Sequence, residues 1–262
     1  MKFGFIGTGV MAGAMLESAL AAGCLKKEDV LVFDKHRPAA EKFGVEIAAS
    51  AIELAMQCDI VQLGTKPQDL PALLEDLDEA LQKKKPLVVS IAAGVPLKKI
   101  TVYVSRAVRL MPNINTTVGL GMTAYCATEK VKQEELAWVK GYCECFGKAI
   151  HLEEKHFSAF TALAGSAPAF VYLFIDELAR AGVTAGLPKA LALEIAAQTV
   201  FGSAAQLKAS ALHPYELIDR VCSPGGTTIA GINALREHGF AHAVSQAALA
   251  AYARDQELGS RR

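Results

Sequence analysis

The hexapeptide Gly7-Thr8-Gly9-Val10-Met11-Ala12 constrains this chain more than any other feature. It follows the apolar run at residues 2–6, which reads as a strand. It also opens a stretch, Gly9 to about Ala22, in which Met11, Met15, Leu16 and Leu20 recur at helical spacing. A glycine pair at the end of a strand and the start of a helix has a physical purpose. Gly7 permits a tight turn, Gly9 lets the backbone approach a pyrophosphate at the helix N-terminus, and Ala12 allows the helix to pack close to its strand. Val10 and Met11 would line the same turn, beside Thr8. Gly23 ends this helix.

The pattern repeats. Residues 30–33, 45–47, 60–63, 87–91 and 107–111 read as short buried strands. Helical stretches are predicted from Pro38 and over residues 70–81. Strands alternating with helices imply βαβ units and a mostly parallel sheet, so the predicted fold class is an α/β Rossmann domain. Residues 119–127 and 149–152 are the last strand-like runs, with a helix over 132–146 between them. Beyond Glu153 only helices are expected. Residues 170–181 and 190–207 form helices apolar on more than one face, which calls for burial against a second subunit. The chain is therefore divided into a dinucleotide-binding domain, residues 1–152, and an all-α substrate-binding and dimerisation domain, residues 153–262. The tail from Gly259 to Arg262 is expected to fray.

Composition narrows the function classes. Of 262 residues 52% are hydrophobic, enough for a sizeable core, and Lys+Arg and Asp+Glu are both 27. The balance gives no electrostatic reason to expect nucleic acid or an anionic membrane surface as partner. No membrane span and no signal peptide are expected. Six scattered cysteines without a Cys-x-x-Cys pair read as reduced thiols of a cytoplasmic protein, with no metal site. His238 and His242, four apart, lack a third ligand. Asp176 and Glu177 read as a paired polar spot rather than as catalytic acids.

Candidate cofactor residues sit where strands end. Asp34 closes the second strand, 25 positions after Gly9, and could accept a hydrogen bond from a ribose 2′-hydroxyl, favouring NAD. Lys35 or Arg37 could instead bind the 2′-phosphate of NADP, so the choice stays open. Thr65-Lys66-Pro67 and Ala92-Ala93-Gly94 follow two further strands, and Asn113 follows another. Small residues in these turns would let a nicotinamide lie close to the backbone.

A second constellation stands far away, at Cys222-Ser223-Pro224-Gly225-Gly226-Thr227-Thr228. Pro and two Gly cannot continue a helix, and helical patterning resumes at Ile229. A turn feeding a helix N-terminus, with hydroxyls beside it, suits a carboxylate or phosphate. Ser223, Gly225, Gly226, Thr227 and Thr228 are therefore candidate substrate-binding residues.

Taken in order, Phe5 to Ala12, Lys66-Pro67, Met111-Pro112-Asn113, Ala164 to Phe170 and Ser223 to Thr228 strongly resemble the pyrroline-5-carboxylate reductases. The likeness extends to about residue 255, and its most specific part is the Ser-Pro-Gly-Gly-x-Thr segment. The resemblance implies a Rossmann domain followed by a helical domain that interlocks two subunits. It also implies rings of dimers in some members, and hydride transfer from NADPH or NADH to the C=N carbon of 1-pyrroline-5-carboxylate without a metal. Thr228 matches the family threonine whose hydroxyl contacts the ring nitrogen, and is the candidate catalytic residue. Three positions depart from the family. Ala164-Gly165-Ser166-Ala167-Pro168 stands where Ser-Gly-Ser-Gly-Pro is common, an Asn touching the cofactor ribose is replaced near Ser50-Ala51, and Asp34 is unusual beside NADPH. Two rivals remain: a β-hydroxyacid-type dehydrogenase of the same two-domain plan, and a nucleotide-sensing homologue without turnover. The first often uses a lysine in its helical domain, but Lys189 and Lys208 lack that motif context.

Overall fold

The structure, a computed structural model, describes residues 1–260. It opens with the elements β1 (Phe3–Ile6), α1 (Val10–Ala21), β2 (Val30–Phe33), α2 (Arg37–Glu41), β3 (Glu46–Ile47), α3 (Ala51–Gln57) and β4 (Ile60–Leu63). Next come α4 (Leu70–Lys84), β5 (Leu87–Ser90), α5 (Leu97–Ile100), β6 (Ala107–Met111), β7 (Gly121–Ala127), α6 (Gln133–Glu144) and β8 (Gly147–His151). The strands form one sheet in the order β3-β2-β1-β4-β5-β6-β7-β8. All neighbours run parallel except β6 and β7. The fold is thus the α/β Rossmann arrangement predicted, with one reversal near its edge.

Side-chain alternation divides the core. Phe3 and Phe5 of β1 pack with Met15 and Leu16 of α1 and with Tyr142 and Phe146 on one face of the sheet. Ile6, Leu31 and Leu63 pack with Leu54 of α3 and Leu74 of α4 on the other. Between them, Gly4 is a space requirement, since a Cβ there would lie 2.3 Å from the Leu54 side chain.

The sequence reading left out α3, although its start is written in the chain. Ser50 accepts a hydrogen bond from the Glu53 amide (3.0 Å), and Glu53 accepts one from the Ala49 amide (2.7 Å). Ser50-x-x-Glu53 is therefore a working helix-start signal.

After β8 the described residues are helical: α7 (Phe157–Phe160), a π-helical segment Thr161–Ser166, α8 (Ala167–Thr184), α9 (Lys189–Ala209), α10 (Pro214–Val221), α11 (Thr227–Glu237) and α12 (Phe240–Ser260). The helix α12 includes Gly259 and Ser260, the first two residues of the tail expected to fray; Arg261 and Arg262 lie outside the described residues. The described residues fall into two compact units, residues 1–165 with 251–260, and residues 166–250.

In the first unit Asn113 bridges β6 to the π-helical segment. Its amide nitrogen donates to the Ala164 carbonyl (3.0 Å), and its oxygen accepts from the Met122 amide (3.0 Å). The reason is local. The α-helical partner of the Ala164 carbonyl is residue 168, a proline with no N–H to give.

The second unit has a small core, Ala179, Ala192 and Ala196. Beside it Val171, Tyr172, Leu173, Phe174 and Leu178 of α8 and Leu191, Ile195 and Phe201 of α9 are each at least 40% exposed. Asp176 is paired with Arg180 and Lys189, as the reading of a polar spot expects. By length and composition the helical run Glu154–Thr184 could cross a bilayer, although the sequence reading expects no span. Residues 157–175 carry no charge, and only serine and threonine interrupt their apolar pattern.

Candidate active site

In the first unit the predicted cofactor turns line the carboxyl edge of the sheet. Strand order reverses between β1 and β4, and ligands of open α/β sheets bind at such a point. The two turns there touch. Gly7 has φ +87°, and a Cβ on it would lie 3.0–3.1 Å from the backbone of Gly64 and Thr65. A Cβ on Gly64 would meet the Gly7 carbonyl at 2.4 Å and the Ala12 methyl at 2.7 Å. Gly7 donates its amide to the Phe33 carbonyl (2.8 Å), and Gly64 donates to that of Ile6 (2.8 Å).

Gly9 differs. It is the N-cap of α1, its φ of −61° suits any residue, and a Cβ there would meet nothing within 4 Å. No side chain caps α1, so its first amides, around the exposed Val10 and the half-buried Met11, face outward unspent. In the adjoining turn the Thr65 hydroxyl oxygen is buried without a hydrogen-bond partner. An open face over Gly9, uncapped amides and an orphaned hydroxyl fit a dinucleotide. The two glycines should separate on substitution. Gly64→Ala is expected to cost about 1–3 kcal/mol of stability by overpacking, read as a lower denaturation midpoint. Gly9→Ala should lower that midpoint less, by about 1 kcal/mol or under for a poorer N-cap residue, and weaken dinucleotide binding about tenfold, by blocking backbone approach.

Asp34 sits at the end of β2. Its Oδ2 accepts from the Thr8 amide (2.6 Å) and the Thr8 hydroxyl (3.0 Å), and its Oδ1 accepts from the His36 amide (2.9 Å). Burial pushes its carboxyl upward in pKa, but the hydrogen bonds from Thr8 and His36 outweigh that and hold it below the ordinary value of 3.8. A depressed carboxyl stabilises the fold above the unfolded-chain value and loses that contribution as pH falls through the folded value. The thermal midpoint advantage of the native chain over Asp34→Asn should therefore be full at pH 6 and shrink as the pH drops below about 4. An advantage that does not change with pH would show that the charge is idle.

The remaining turns are ordered differently. Lys35 and Lys66 are exposed, and Arg37 is exposed and paired with Glu41 (3.1 Å). After β5, Ala92 is buried and Gly94 takes φ +72°, with Ala93 between them. Pro67 follows the same turn as Thr65. Asn113 spends both ends of its amide inside the protein, as described above.

Sequence reading did not single out Arg109, a buried cation of β6. It pairs with Glu154 (2.9 Å), which also accepts the Leu97 amide (2.7 Å), and its guanidinium lies 4.5 Å from the centre of the Phe157 ring. The clasp ties the segment after the Ala92–Gly94 turn to the sheet.

Cys58, Cys126 and Cys145 offer no ready nucleophile. Burial pushes the Cys58 thiol up to about 11 and those of Cys126 and Cys145 to about 12. Among the described residues no group of three or more His, Cys, Asp or Glu could hold a metal ion.

In the second unit, Ser223 to Gly226 form a β-turn. The Gly226 amide donates to the Ser223 carbonyl (3.0 Å), with Pro224 leading and Gly225 at φ +68°. A Cβ on Gly226 would fall 2.3 Å from the Ser223 hydroxyl, which would have to turn aside to admit it. Gly226 then N-caps α11 without a side-chain cap, so the first-turn amides of Thr227, Thr228 and Ile229 project from the helix end. This refines the sequence reading, since the Gly226 amide is spent within the turn and Ile229 takes its place. Thr228 also lines an apolar groove of about 680 Å³ with Phe174, Leu178, Ile232, Leu235 and Phe240.

Comparison with known proteins accounts for both units. Residues 154–258 match the family described as pyrroline-5-carboxylate reductase dimerisation. Residues 2–94 match that described as NADP oxidoreductase, coenzyme F420-dependent. A pyrroline-5-carboxylate reductase of Synechocystis is 40% identical, with 100% of this chain and 99% of the relative covered. This chain belongs to the pyrroline-5-carboxylate reductase family. The Escherichia coli reductase is 38% identical over 94% of each chain. The Plasmodium falciparum reductase, solved with NADP bound, superposes with a TM-score of 0.89 at 30% identity, covering 99% of this chain and 98% of that one.

Proposed function

We propose that this chain is a reductase that converts 1-pyrroline-5-carboxylate to L-proline with NADPH or NADH, the last step of proline biosynthesis. The observation that carries the reading is the match to family reductases along the whole chain, including the Ser223–Thr228 turn.

Residues 1–152 hold the dinucleotide. Gly7, Thr8, Gly9, Val10 and Met11 receive the pyrophosphate, Asp34, Lys35 and Arg37 stand at the ribose end, and Thr65, Lys66, Pro67, Ala92, Ala93 and Gly94 border the nicotinamide. Asn113 supports them through the Ala164 carbonyl. When bound, the dinucleotide supplies a hydride to the C=N carbon of the substrate.

Residues 153–262 bind the substrate and a second subunit. The substrate is a cyclic imine bearing a carboxylate. The Thr227, Thr228 and Ile229 amides hold the carboxylate, and Ser223, Gly225 and Gly226 shape the turn that presents them. The Thr228 hydroxyl orients the ring nitrogen. A protonated nitrogen draws electron density from the carbon and takes up the C=N pair as hydride arrives, leaving an amine. A hydroxyl has no useful pKa for delivering that proton, so it comes with the substrate or from water. Of the two lysines weighed for a β-hydroxyacid-type enzyme, Lys189 is paired with Asp176, and Lys208 lacks the motif context. The exposed apolar faces of α8 and α9 belong to a homodimer, which can assemble further into a ring, and the thiols suit the cytoplasm.

The deciding experiment follows NADPH and NADH oxidation with and without 1-pyrroline-5-carboxylate. Substrate-dependent loss of either cofactor, with proline as product, is expected. No such loss with either one would refute the assignment.

A further inference from the structure

We propose that Asp34 is a positioning residue for the dinucleotide site: its carboxylate fastens the Gly7–Gly9 turn in the shape that receives a pyrophosphate, and so supports NADPH and NADH alike. This rests on the dinucleotide reading above. A strand-end acid is ordinarily expected to read the ribose and choose between the two cofactors.

The hydrogen bonds point elsewhere. Three of the carboxylate's roughly four acceptor positions are taken by the protein, two by Thr8 and one by His36. Thr8 is 2% exposed, so water does not compete for its bonds. It stands between the two glycines that the turn depends on. Gly7 is fixed from its other side by the Phe33 carbonyl and by the close approach of Gly64. Gly9 leads straight into α1, whose N-terminus no side chain caps. The direction in which the first amides of α1 point is therefore set through Thr8, and Thr8 is held by Asp34. Charge-assisted bonds of this kind are the stronger ones, and here a single oxygen receives two of them. Cofactor choice falls instead to Lys35 and Arg37, which are exposed and follow directly in the chain.

The test measures dissociation constants for NADPH and NADH by fluorescence titration, with thermal midpoints alongside, for the native chain, Asp34→Ala, Asp34→Asn, Thr8→Val and the pair Thr8→Val/Asp34→Ala. Asp34→Ala is expected to weaken both cofactors about tenfold, the loss of a charge-assisted bond pair, with their ratio within about threefold. Asp34→Asn keeps an acceptor for Thr8 and should recover part of the loss. Thr8→Val keeps the backbone bond, so it should cost less alone and nearly nothing in the Asp34→Ala background, because it acts through the same contact. A gain of NADPH over NADH by tenfold or more in Asp34→Ala would mean that Asp34 reads the ribose, and would overturn the proposal. Unchanged affinities, or additive losses in the double variant, would overturn it as well. If Asp34→Ala does not fold, Thr8→Val and Asp34→Asn carry the test, and full native affinity for both cofactors in both variants refutes it. Failure of the native chain to bind either dinucleotide would remove the functional reading itself, a result distinct from any of these.

Discussion

Thr228→Ala is expected to lower kcat/KM for 1-pyrroline-5-carboxylate by about ten- to a hundredfold, the worth of one hydrogen bond to a charged group. The dissociation constant for NADPH should hardly move. Thr228 is the second residue of α11, and Gly226 occupies the cap position. The hydroxyl therefore caps nothing, and alanine is the better helix former at that place. Stability should stay level or rise slightly, so a fall in rate cannot be attributed to unfolding. If the hydroxyl meets the nitrogen more closely as charge shifts during reduction, kcat carries most of the loss. Unchanged kcat and KM would leave Thr228 as a residue of the groove wall only.

The second large effect concerns assembly. Leu173→Asp is expected to convert the dimer to monomer at micromolar concentration, a weakening of about a thousandfold or more, because an unpaired carboxylate would enter an apolar contact. In a twofold-symmetric dimer each substitution occurs twice, which enlarges the penalty. Leu173 is 62% exposed within one chain and is flanked by Val171, Tyr172 and Phe174, which are 40–58% exposed. An apolar band of this extent on α8 marks an interaction surface. Because Leu173 lies on the outside of its own unit, the monomer should keep its helical content. Sedimentation velocity with circular dichroism reads both quantities. A variant that stays dimeric with native affinity would exclude the Leu173 face from the interface.

What was legible in the sequence follows from which forces are local. The Gly7–Ala12 turn, the strands of the sheet and the Ser223–Thr228 turn were readable because glycine, proline and apolar periodicity act within a few residues. The short helix α3 was missed for want of a long apolar pattern, although Ser50 and Glu53 announce its start. Asp34 was visible as a strand-end acid, but its partner Thr8 lies 26 positions away. No local pattern states that the carboxylate turns back toward the glycines. Asn113 and Arg109 are similar cases. Their partners at Ala164 and Glu154 lie 51 and 45 positions on, and only the folded chain brings them together. In the second unit the exposed apolar residues were anticipated from helices apolar on several faces, since excess apolar surface can be counted before its cover is known.

The bond from Asn113 to the Ala164 carbonyl makes two distant places in the chain dependent on each other. Pro168 deprives that carbonyl of its helical donor, and the Asn113 amide supplies the replacement. Replacing Asn113 by an apolar residue would leave the Ala164 carbonyl unpaired for as long as Pro168 stands, and would release the Met122 amide on its other side as well.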